Sequence, residues 1–369
     1  MTQAGERRKP LLSVVISNHN ELKYIEGCLT SVLASAYEPM EVIVMDDVST
    51  DGGPELIRQR YGQDPRLKLV VNQVNLGLDA TLNAGYAASS GDYVIFMHMD
   101  GTVKPECFQE LVGALEADPS IGCAQPKFLQ LDRPEHLLSV GQFPDYFGYP
   151  GGPVGRGELD RGQYDTPREI FNMFAGLTIM PRRVLEEVGL WDANYVWFRD
   201  EEDMGWRIWL SGRRVMYVPT AVAYHKTNVS MPVYGVNTAF HRFKNFLANI
   251  LKHYDIWHVL LFFPPALVGV LLRILFGELI IMRQPRHAWA GLRGLWWLFR
   301  HQDYLWRERR RSQRQIRKVP DRVVMRLMRR PAPWLYLRDV LFMVAVFVKR
   351  RPVESIRRSG SYPKEAARK

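Results

Sequence analysis

The sequence has few cysteines and lacks several common signatures. Its three cysteines, Cys28, Cys107 and Cys123, are odd in number and do not have the spacing of metal ligands. This argues against a disulfide framework and favours a reducing compartment. No long apolar segment follows residues 1–10, so no secretory signal is expected. No G-x-G-x-x-G follows the first predicted strand and no P-loop lysine motif occurs, which disfavours ordinary dinucleotide and Walker sites.

Charge is distributed unevenly along the chain. The 369 residues are 47% hydrophobic, which is enough to bury a core. The net charge of +10 is the sum of two regions with opposite net charges. Residues 283–369 contain 24 Lys and Arg against 6 Asp and Glu, a net charge of +18, whereas residues 1–282 contain 25 against 33, a net charge of −8. A basic tail on an acidic body predicts an anionic partner, either membrane lipid or nucleic acid.

The first half alternates between short apolar runs and helical patterns. Strand-like runs occupy 11–17, 41–47, 67–72, 92–98 and 121–129, and helical patterns occupy 21–33, 54–61, 79–89 and 105–117. Strands of five to seven residues separated by single helices predict an α/β fold with a doubly wound, mostly parallel sheet.

Polar residues stand where these strands end. They are Ser17, Asn18, His19 and Asn20, then Asp46 and Asp47, then Asn75 and Gly77, and finally His98 and Asp100. In a parallel sheet such residues meet at one edge, where they would form a crevice suited to a nucleotide. Asp100 is the first candidate for chemistry, because a carboxylate that ends a buried strand needs water, a metal or a ligand. Each residue taken singly is also an ordinary turn residue.

Four stretches together resemble a known family. They are VVISNHNELKYIEGCLTSVLAS, EVIVMDDVSTDGG, NLGLDATLNAGYAASSGDYVIFMHMDGTVKPECFQELV and FAGLTIMPRRVLEEVGLWDANYVWFRDEEDMGWRI. In order and spacing, over residues 10–230, they are similar to the inverting family-2 glycosyltransferases with a GT-A fold. Within that family they most resemble the rhamnosyltransferase-like branch that builds bacterial surface polysaccharides.

The resemblance implies a nucleotide-sugar donor, a divalent cation (Mg²⁺ or Mn²⁺) and inversion at the anomeric carbon. It places the nucleotide base on Asp46 and the ribose and metal on His98 and Asp100. Some relatives add a metal-ligating histidine at the position of His225. The other strand-end residues assigned to the donor are Ser17, Asn18, Asn20, Asn75 and Gly77. His98 departs from the family, which commonly has Asp or Asn there, and a histidine on a strand can also be a core residue.

Four consecutive acids, Asp200 to Asp203, follow Arg199. The reaction needs a carboxylate base that takes the proton of the acceptor hydroxyl. The resemblance assigns this base to Glu201 or Asp200. Their order is swapped relative to the family, so the choice stays open. Acids in the first turn of a helix are also favoured by the helix dipole without any catalytic role. On the acceptor side, the resemblance implies Trp191, Asp192 and Asp203.

The second half is expected to be a separate region, with a catalytic domain over 1–240 and a basic helical region over 241–369. Seventeen uncharged residues lie between Asp255 and Arg273. As a helix they would cover about 26 Å, less than a ~30 Å hydrocarbon core. Pro264 and Pro265 are expected to break the run, so we predict a hairpin or re-entrant pair in the membrane interface.

A basic pattern follows this run. Arginines recur every seventh residue, and apolar residues are expected on another face of the same helix. The arginines are Arg286, Arg293, Arg300, Arg307 and Arg314, and the apolar residues are Leu292, Leu295, Trp296 and Phe299. This predicts an amphipathic helix that binds acidic lipid headgroups. The apolar run 340–348 is expected to dock against the earlier one.

These features together predict a metal-dependent inverting glycosyltransferase. We expect it at the cytoplasmic face of the plasma membrane, as a peripheral or monotopic protein. The expected reaction transfers a sugar, rhamnose being the first guess, from a nucleotide donor to a polyprenyl-diphosphate-linked glycan. Two alternatives are transfer to polyprenyl phosphate and a non-catalytic, membrane-tethered nucleotide-sugar-binding protein. Nucleic acid is not the expected partner, since the interleaved Leu and Trp suit lipid better than bases. The sequence does not specify an oligomeric state.

Overall fold

A computed structural model of the protein describes residues 8–226 and 236–331. The first part alternates between strands and helices, and each predicted end lies within two residues of the observed one. Its elements are β1 (Leu12–Asn18), α1 (Leu22–Leu33), β2 (Met40–Asp46), α2 (Gly53–Tyr61), β3 (Leu67–Val71), α3 (Leu78–Ala87), β4 (Tyr93–His98), β5 (Gly101–Val103) and α4 (Cys107–Ala117).

The middle of the chain supplies most of the remaining strands and the acidic helix. Its elements are β6 (Ile121–Gln130), β7 (Arg133–Ser139), β8 (Gln142–Pro144), β9 (Pro150–Pro153), β10 (Arg168–Glu169), β11 (Leu177–Pro181), α5 (Arg182–Val188), α6 (Asp200–Leu210) and β12 (Arg214–His225).

The last part is helical. It consists of α7 (Val236–His253), α8 (Ile256–Leu272), α9 (Pro285–Arg300), α10 (Gln302–Arg310) and α11 (Asp321–Met325). A π-helix over Arg273–Ile281 continues α8, and another over Arg311–Ile316 continues α10.

The main sheet has the strand order β10-β12-β6-β11-β4-β1-β2-β3. Strands β4, β1, β2 and β3 are parallel, as predicted. Strand β11 enters between β4 and β6 and runs antiparallel to both. The α/β fold class is confirmed, but the sheet is mixed, because the chain returns through β11 in the opposite direction before α6 begins.

Helices cover both faces of the sheet. Along β1, Val14 and Ile16 face one apolar cluster and Val15 faces the other, as the two-residue period of a strand requires. Helices α1, α2 and α4 contribute to the first cluster, and α3, α5 and α6 contribute to the second. Residues of α7 to α11 belong to that second cluster as well, including Leu247 and Ile274. The C-terminal helices therefore pack on the side of the sheet that carries α6.

Pro264 and Pro265 do not break the apolar run, so the predicted hairpin is wrong. Both prolines lie inside α8, whose helix runs without interruption from Ile256 to Ile281. The φ angle of proline, about −65°, suits a helix. Every fourth residue packs on the core, as Phe262, Ala266, Val270 and Ile274 are all buried. By length and composition alone, this helix could cross a membrane. The run 340–348 lies outside the described residues.

Gly85 allows α3 to approach the sheet. A Cβ at Gly85 would lie 2.2 Å from Val15 Cγ1 and 2.9 Å from Met45 Cγ. We expect Gly85→Ala to lower the free energy of unfolding by about 1–3 kcal/mol, since packed side chains must move. Gly113, in α4, has open space at its Cβ position. Gly113→Ala should therefore raise stability by about 0.5–1 kcal/mol. Urea denaturation of both variants measures this, and equal effects would contradict the close contact.

Candidate functional site

The carboxyl ends of β1, β2 and β4 lie side by side, as the strand-end residues predict. Asn18 is in register with Asp46, and Ser17 is in register with His98. The three connections that follow these strands therefore meet at one edge of the sheet, which is where ligands gather in open α/β sheets.

Asp46 is buried and its carboxylate accepts several hydrogen bonds. Asn18 Nδ2 donates to Oδ2 at 2.6 Å, and the backbone N–H of Ser49 donates to Oδ1 at 2.8 Å. Asn20 holds the same turn from the other side, since its Oδ1 accepts from the backbone N–H of Thr50 at 2.8 Å. These bonds fix the β1 and β2 connections to each other.

Asp47 organises the third connection, a role that the sequence reasoning did not assign. Its carboxylate accepts the backbone N–H groups of Leu76 and Gly77 at 2.8 and 2.9 Å. Gly77 has a φ of +79°, which L side chains rarely adopt. Asn75 Oδ1 also accepts the Gly77 N–H, at 3.2 Å. The loop that begins α3 is thus tied to the end of β2.

His98, Asp100 and His225 form a group that could hold a metal ion. His225 Nε2 lies 3.0 Å from Asp100 Oδ1 and 3.5 Å from His98 Nδ1. Burial lowers the pKa of His98 to about 4, so its imidazole is neutral at pH 7 and able to coordinate a cation. Burial raises the pKa of Asp100, but His225 and His98 lower it by more, so the carboxyl is ionised. One carboxylate with two imidazoles suits Mn²⁺ or another divalent cation.

Gly176 makes room for this group. A Cβ at Gly176 would lie 2.5 Å from His225 Cδ2 and 3.0 Å from its Nε2. The carbonyl of Gly176 also accepts the backbone N–H of His98 at 3.2 Å. The chain just before β11 therefore packs directly against the two histidines of the group.

A second cluster of the same residue types lies elsewhere, at Asp255, His258 and Asp321. His258 Nδ1 is 3.0 Å from Asp255 Oδ2 and 2.9 Å from Asp321 Oδ2. Arg317 pairs with Asp321 at 2.7 Å. A guanidinium beside the carboxylate disfavours a cation there. This cluster joins the start of α8 to α11.

The four acids begin α6, directly after a strained segment. Val196, Phe198 and Arg199 have φ values of +64°, +61° and +69°. Such values are uncommon outside glycine, and for bulky or β-branched residues they are outliers. Strain of this kind persists only where surrounding contacts impose it.

Two asparagines of α7 supply those contacts. Asn245 Nδ2 lies within hydrogen-bonding distance of three carbonyls, those of Tyr195 (3.2 Å), Trp197 (2.9 Å) and Phe198 (2.7 Å). Asn249 Nδ2 donates to the carbonyl of Arg199 at 3.1 Å. No motif marks these residues, because an asparagine on a helix of 18 residues is unremarkable in sequence. Their alignment with the loop exists only in the fold.

Glu201 lies next to the metal-ligand group. Its Oε1 accepts the backbone N–H of Ala175 at 3.2 Å, and the next residue, Gly176, packs against His225. Burial, followed by the charges of Asp200 and Glu202, holds the pKa of Glu201 well above its usual range. Burial likewise raises the pKa of Asp200 to about 7. Asp200 is therefore poised to exchange a proton near neutral pH.

Asp203 belongs to an ion network. Burial raises the pKa of Asp203, but Lys252, Arg207 and His253 lower it by more. The distances to Asp203 are 2.5 Å from Lys252 Nζ, 2.7 Å from Arg207 and 2.8 Å from His253 Nε2. Lys252 also pairs with Asp192 at 2.7 Å.

Trp191, Asp192 and Asp203 line a cavity of about 380 Å³ between the acidic helix and the end of α10. Arg307 and Arg311 line the same cavity. Trp191 packs edge to face on Phe96, with ring centroids 5.7 Å apart. The three residues assigned to the acceptor side therefore lie together, although the cavity does not include Glu201.

Comparison with known proteins gives a consistent result. Residues 13–189 match the family described as Glycosyl transferase family 2. A segment of 111 residues is 34% identical to an uncharacterized glycosyltransferase of Nostoc sp. and covers 30% of this chain and 34% of that protein. A segment of 213 residues is 25% identical to the poly-beta-1,6-N-acetyl-D-glucosamine synthase of Staphylococcus aureus and covers 58% and 49%. The chain thus spans between a third and a half of these curated relatives. Neither description names a rhamnosyltransferase, so that branch is not confirmed.

Solved structures show a similar fold. A structure of GalNAc-T7 with UDP, GalNAc and Mn²⁺ has a TM-score of 0.56 at 18% identity, covering 81% of this chain and 57% of that chain. The structure of S. aureus TarS 1–349 in complex with UDP-GlcNAc has a TM-score of 0.54 at 16% identity, covering 95% and 93%. At these identities the likeness concerns the fold alone.

We expect Asp100→Asn to weaken Mn²⁺ binding by more than the ~10- to 100-fold typical of an outer-shell partner, since it replaces the only carboxylate of the group. Isothermal titration of the purified protein with MnCl₂ measures this. His258→Ala is the matched control, and it should retain Mn²⁺ affinity. If His258→Ala lost Mn²⁺ affinity and Asp100→Asn retained it, the cation site would be assigned to Asp255, His258 and Asp321.

Proposed function

We propose that this chain, in which residues 13–189 form a glycosyl transferase family 2 domain on a GT-A fold, is a metal-dependent inverting glycosyltransferase. It transfers a sugar from a nucleotide-diphosphate donor to a lipid-linked glycan in polysaccharide synthesis. The carrying observation is the adjacency of Ala175 and Gly176. The backbone N–H of Ala175 donates to the carboxylate of Glu201 and Gly176 packs against His225, so the proposed base and the proposed cation site flank the same two residues.

The donor would lie along the carboxyl edge of the sheet. Asn18, Asn20, Asp46, Asn75 and Gly77 surround the ends of β1, β2 and β3, and Ser17 follows the register of β1. His98, Asp100 and His225 would hold a divalent cation, which neutralises the charge that develops on the departing diphosphate. Mn²⁺ is the first ion to test, because it accompanies UDP in the GalNAc-T7 structure.

The acceptor hydroxyl must lose a proton as it attacks the anomeric carbon. Glu201 and Asp200 are the candidate bases, and each must be ionised to accept that proton. Activity should therefore fall as the pH falls through the pKa of the base, which for Asp200 is about 7. Inversion follows when a base directs the hydroxyl to the face opposite the leaving group.

The donor sugar is proposed from two sources. Rhamnose follows from the sequence resemblance. N-acetylglucosamine and N-acetylgalactosamine are named in the descriptions of a relative and of solved structures. All three belong in the first donor panel.

The acceptor side is proposed at the cavity formed by Trp191, Asp192 and Asp203. Arg307 and Arg311 bring positive charge to this cavity. Paired guanidinium groups suit phosphate oxygens, which supports a polyprenyl-diphosphate-linked acceptor.

An exposed apolar surface supports attachment to a membrane, and the cytoplasmic face is proposed from the sequence. We define the apolar surface as the exposed residues of α8, its continuation and α9. They are Ile256, Trp257, Leu260, Leu261, Val268, Leu272, Leu275, Phe276, Leu279, Ile280, Trp289, Trp296 and Phe299. Exposure on this scale marks an interaction site. The expected separation of arginines from apolar residues is wrong for Trp296 and Phe299, which are exposed together with Arg286, Arg293 and Arg300. Of the four apolar residues, only Leu292 and Leu295 pack toward the core. Mixed arginine and tryptophan suit an interface with anionic headgroups.

The helix from Ile256 to Ile281 packs along one side on α7 and α9. Crossing a bilayer would bring the polar residues of α7, including Lys244 and Asn245, to hydrocarbon depth. We therefore favour a monotopic arrangement, in which the helix lies in the interface with its free side in lipid.

Glu201→Gln and Asp200→Asn separate the two candidate bases. Loss of the base should lower kcat by about 10²- to 10⁴-fold with little change in the affinity for the donor. The measurement is nucleoside diphosphate release with MnCl₂, a donor panel and a polyprenyl-diphosphate-linked acceptor, from pH 5 to 9. The variant that lacks the base should also lose the acid limb of the pH profile. Asp118→Asn, at an exposed acid, is the control.

Three outcomes of this assay would redirect the proposal. No release with any donor, combined with donor binding, would favour a non-catalytic binding protein. A glycosyl monophosphate lipid as product would identify polyprenyl phosphate as the acceptor. Full activity in both variants would remove the acids from the reaction.

The double variant Trp257→Glu/Leu261→Glu should weaken binding to vesicles containing phosphatidylglycerol by at least about tenfold, since charged side chains in the interface cost more than 1.4 kcal/mol together. Flotation with anionic and neutral vesicles measures this, and higher salt should weaken the anionic case. Leu159→Glu, at another exposed apolar residue, is the control. Equal binding by all variants would assign the apolar surface to a different partner.

A further inference from the structure

Asp79 is a buried acid that the proposed reaction has not yet used. It is the second residue of α3, and its side chain is fully buried. Neither carboxyl oxygen has a hydrogen-bond partner among residues 8–226 and 236–331. Buried polar groups are nearly always hydrogen-bonded, so an acid without a partner needs an explanation.

Helix α3, which carries Asp79, contacts both the donor loop and the segment that leads into α6. Gly77, two residues earlier, is held by Asp47, and a Cβ there would lie 3.1 Å from Val196 Cγ1 in the strained loop. In the middle of α3, Asn83 Nδ2 donates to the carbonyl of Trp191 at 2.8 Å. Helix α3 and the loop before it therefore contact the segment that leads into α6 at two points.

Electrostatics agree with this placement. Burial raises the pKa of Asp79, and the charges of Asp200, Asp192, Asp203 and Glu201 raise it further. Burial lowers the pKa of Lys244 to about 8, and Asp79 is one of two acids that oppose this shift. Asp200 exerts the largest of these four acidic influences on the pKa of Asp79.

The helix dipole does not account for this acid. An acid in the first turn of a helix is favoured, and Glu55 in α2 shows the ordinary form, with 73% of its side chain exposed and a partner in Arg58. The dipole favours a negative charge at that end, but it does not require the acid to be buried among other acids. A bound group that hydrogen-bonds to the carboxyl would account for a buried acid that has no partner among the described residues.

We propose that Asp79 binds hydroxyl groups of the transferred sugar and is a specificity-determining residue of the donor site. The proposal rests on the proposed function. In a nucleotide sugar, the hexose follows the diphosphate, so it must lie between the donor loop at Gly77 and the base at Glu201 or Asp200. Asp79 follows Gly77 by two residues, and Val196, in the loop that leads to these acids, lies beside that glycine. Sugar hydroxyls donate to a carboxyl, and a site built to bind a hydroxyl rejects analogues that lack it by up to ~10⁵-fold.

The test compares binding of paired probes in the full chain with MnCl₂ present. The pairs are UDP with UDP-N-acetylglucosamine, GDP with GDP-mannose, and dTDP with dTDP-rhamnose, measured by isothermal titration. Asp79→Asn should keep nucleoside diphosphate affinity within about twofold and weaken the preferred nucleotide sugar by at least about tenfold, since only the sugar touches the carboxyl. The melting temperature should not fall, because the acid has no partner to lose.

Asp79→Ala tests the same contact without an amide, and Glu55→Gln controls for a first-turn acid without burial. A lower melting temperature with equal weakening of both members of a pair would assign Asp79 to helix stability and overturn the proposal. Unchanged nucleotide-sugar affinity in both Asp79 variants would overturn it while leaving the proposed function standing. If the wild-type chain binds no probe, the proposed function falls and this inference falls with it.

Discussion

The hydrogen bonds from Asn245 to the carbonyls before α6 are the constraint on which the candidate site depends. Three neighbouring residues, Val196, Phe198 and Arg199, adopt a backbone conformation that their side chains disfavour. The amides of Asn245 and Asn249 fix the carbonyls of that segment, so the strain is held by a rigid helix. The start of α6 is thereby fixed, and with it the direction in which Glu201 points.

The segment before β11 contacts both the candidate base and the candidate metal ligands. Ala175 offers a backbone N–H to one carboxylate, and Gly176 leaves room for an imidazole. Neither residue contributes a reactive side chain. Their backbone sets the separation between a group that could hold a cation and a group that could take a proton. The ion network around Asp203 keeps a third acid charged and paired on the same helix, so its role in the structure differs from that of Glu201.

Much of this arrangement follows from local patterns in the sequence. Each strand of the parallel half is a short apolar run that ends in a polar residue, which predicts both the sheet and its reactive edge. The supporting residues could not be predicted in this way. Asn245 lies about 50 residues from the loop that it holds, and its role depends on how α7 crosses α6. Asp79 looks like an ordinary first-turn acid until its burial is known. Pro264 and Pro265 stay helical because packing at every fourth residue outweighs two missing hydrogen bonds.

Helix α7 touches both the reactive loop and the long apolar helix. If the protein lies on a membrane as proposed, this one helix, and not a flexible tether, sets the height and tilt of the candidate site above the lipid. A hydroxyl presented from the bilayer would then meet the acids at a set distance. On that proposal, the position along a lipid-anchored acceptor at which a sugar is added would be set by the rigid packing of α7 and α8.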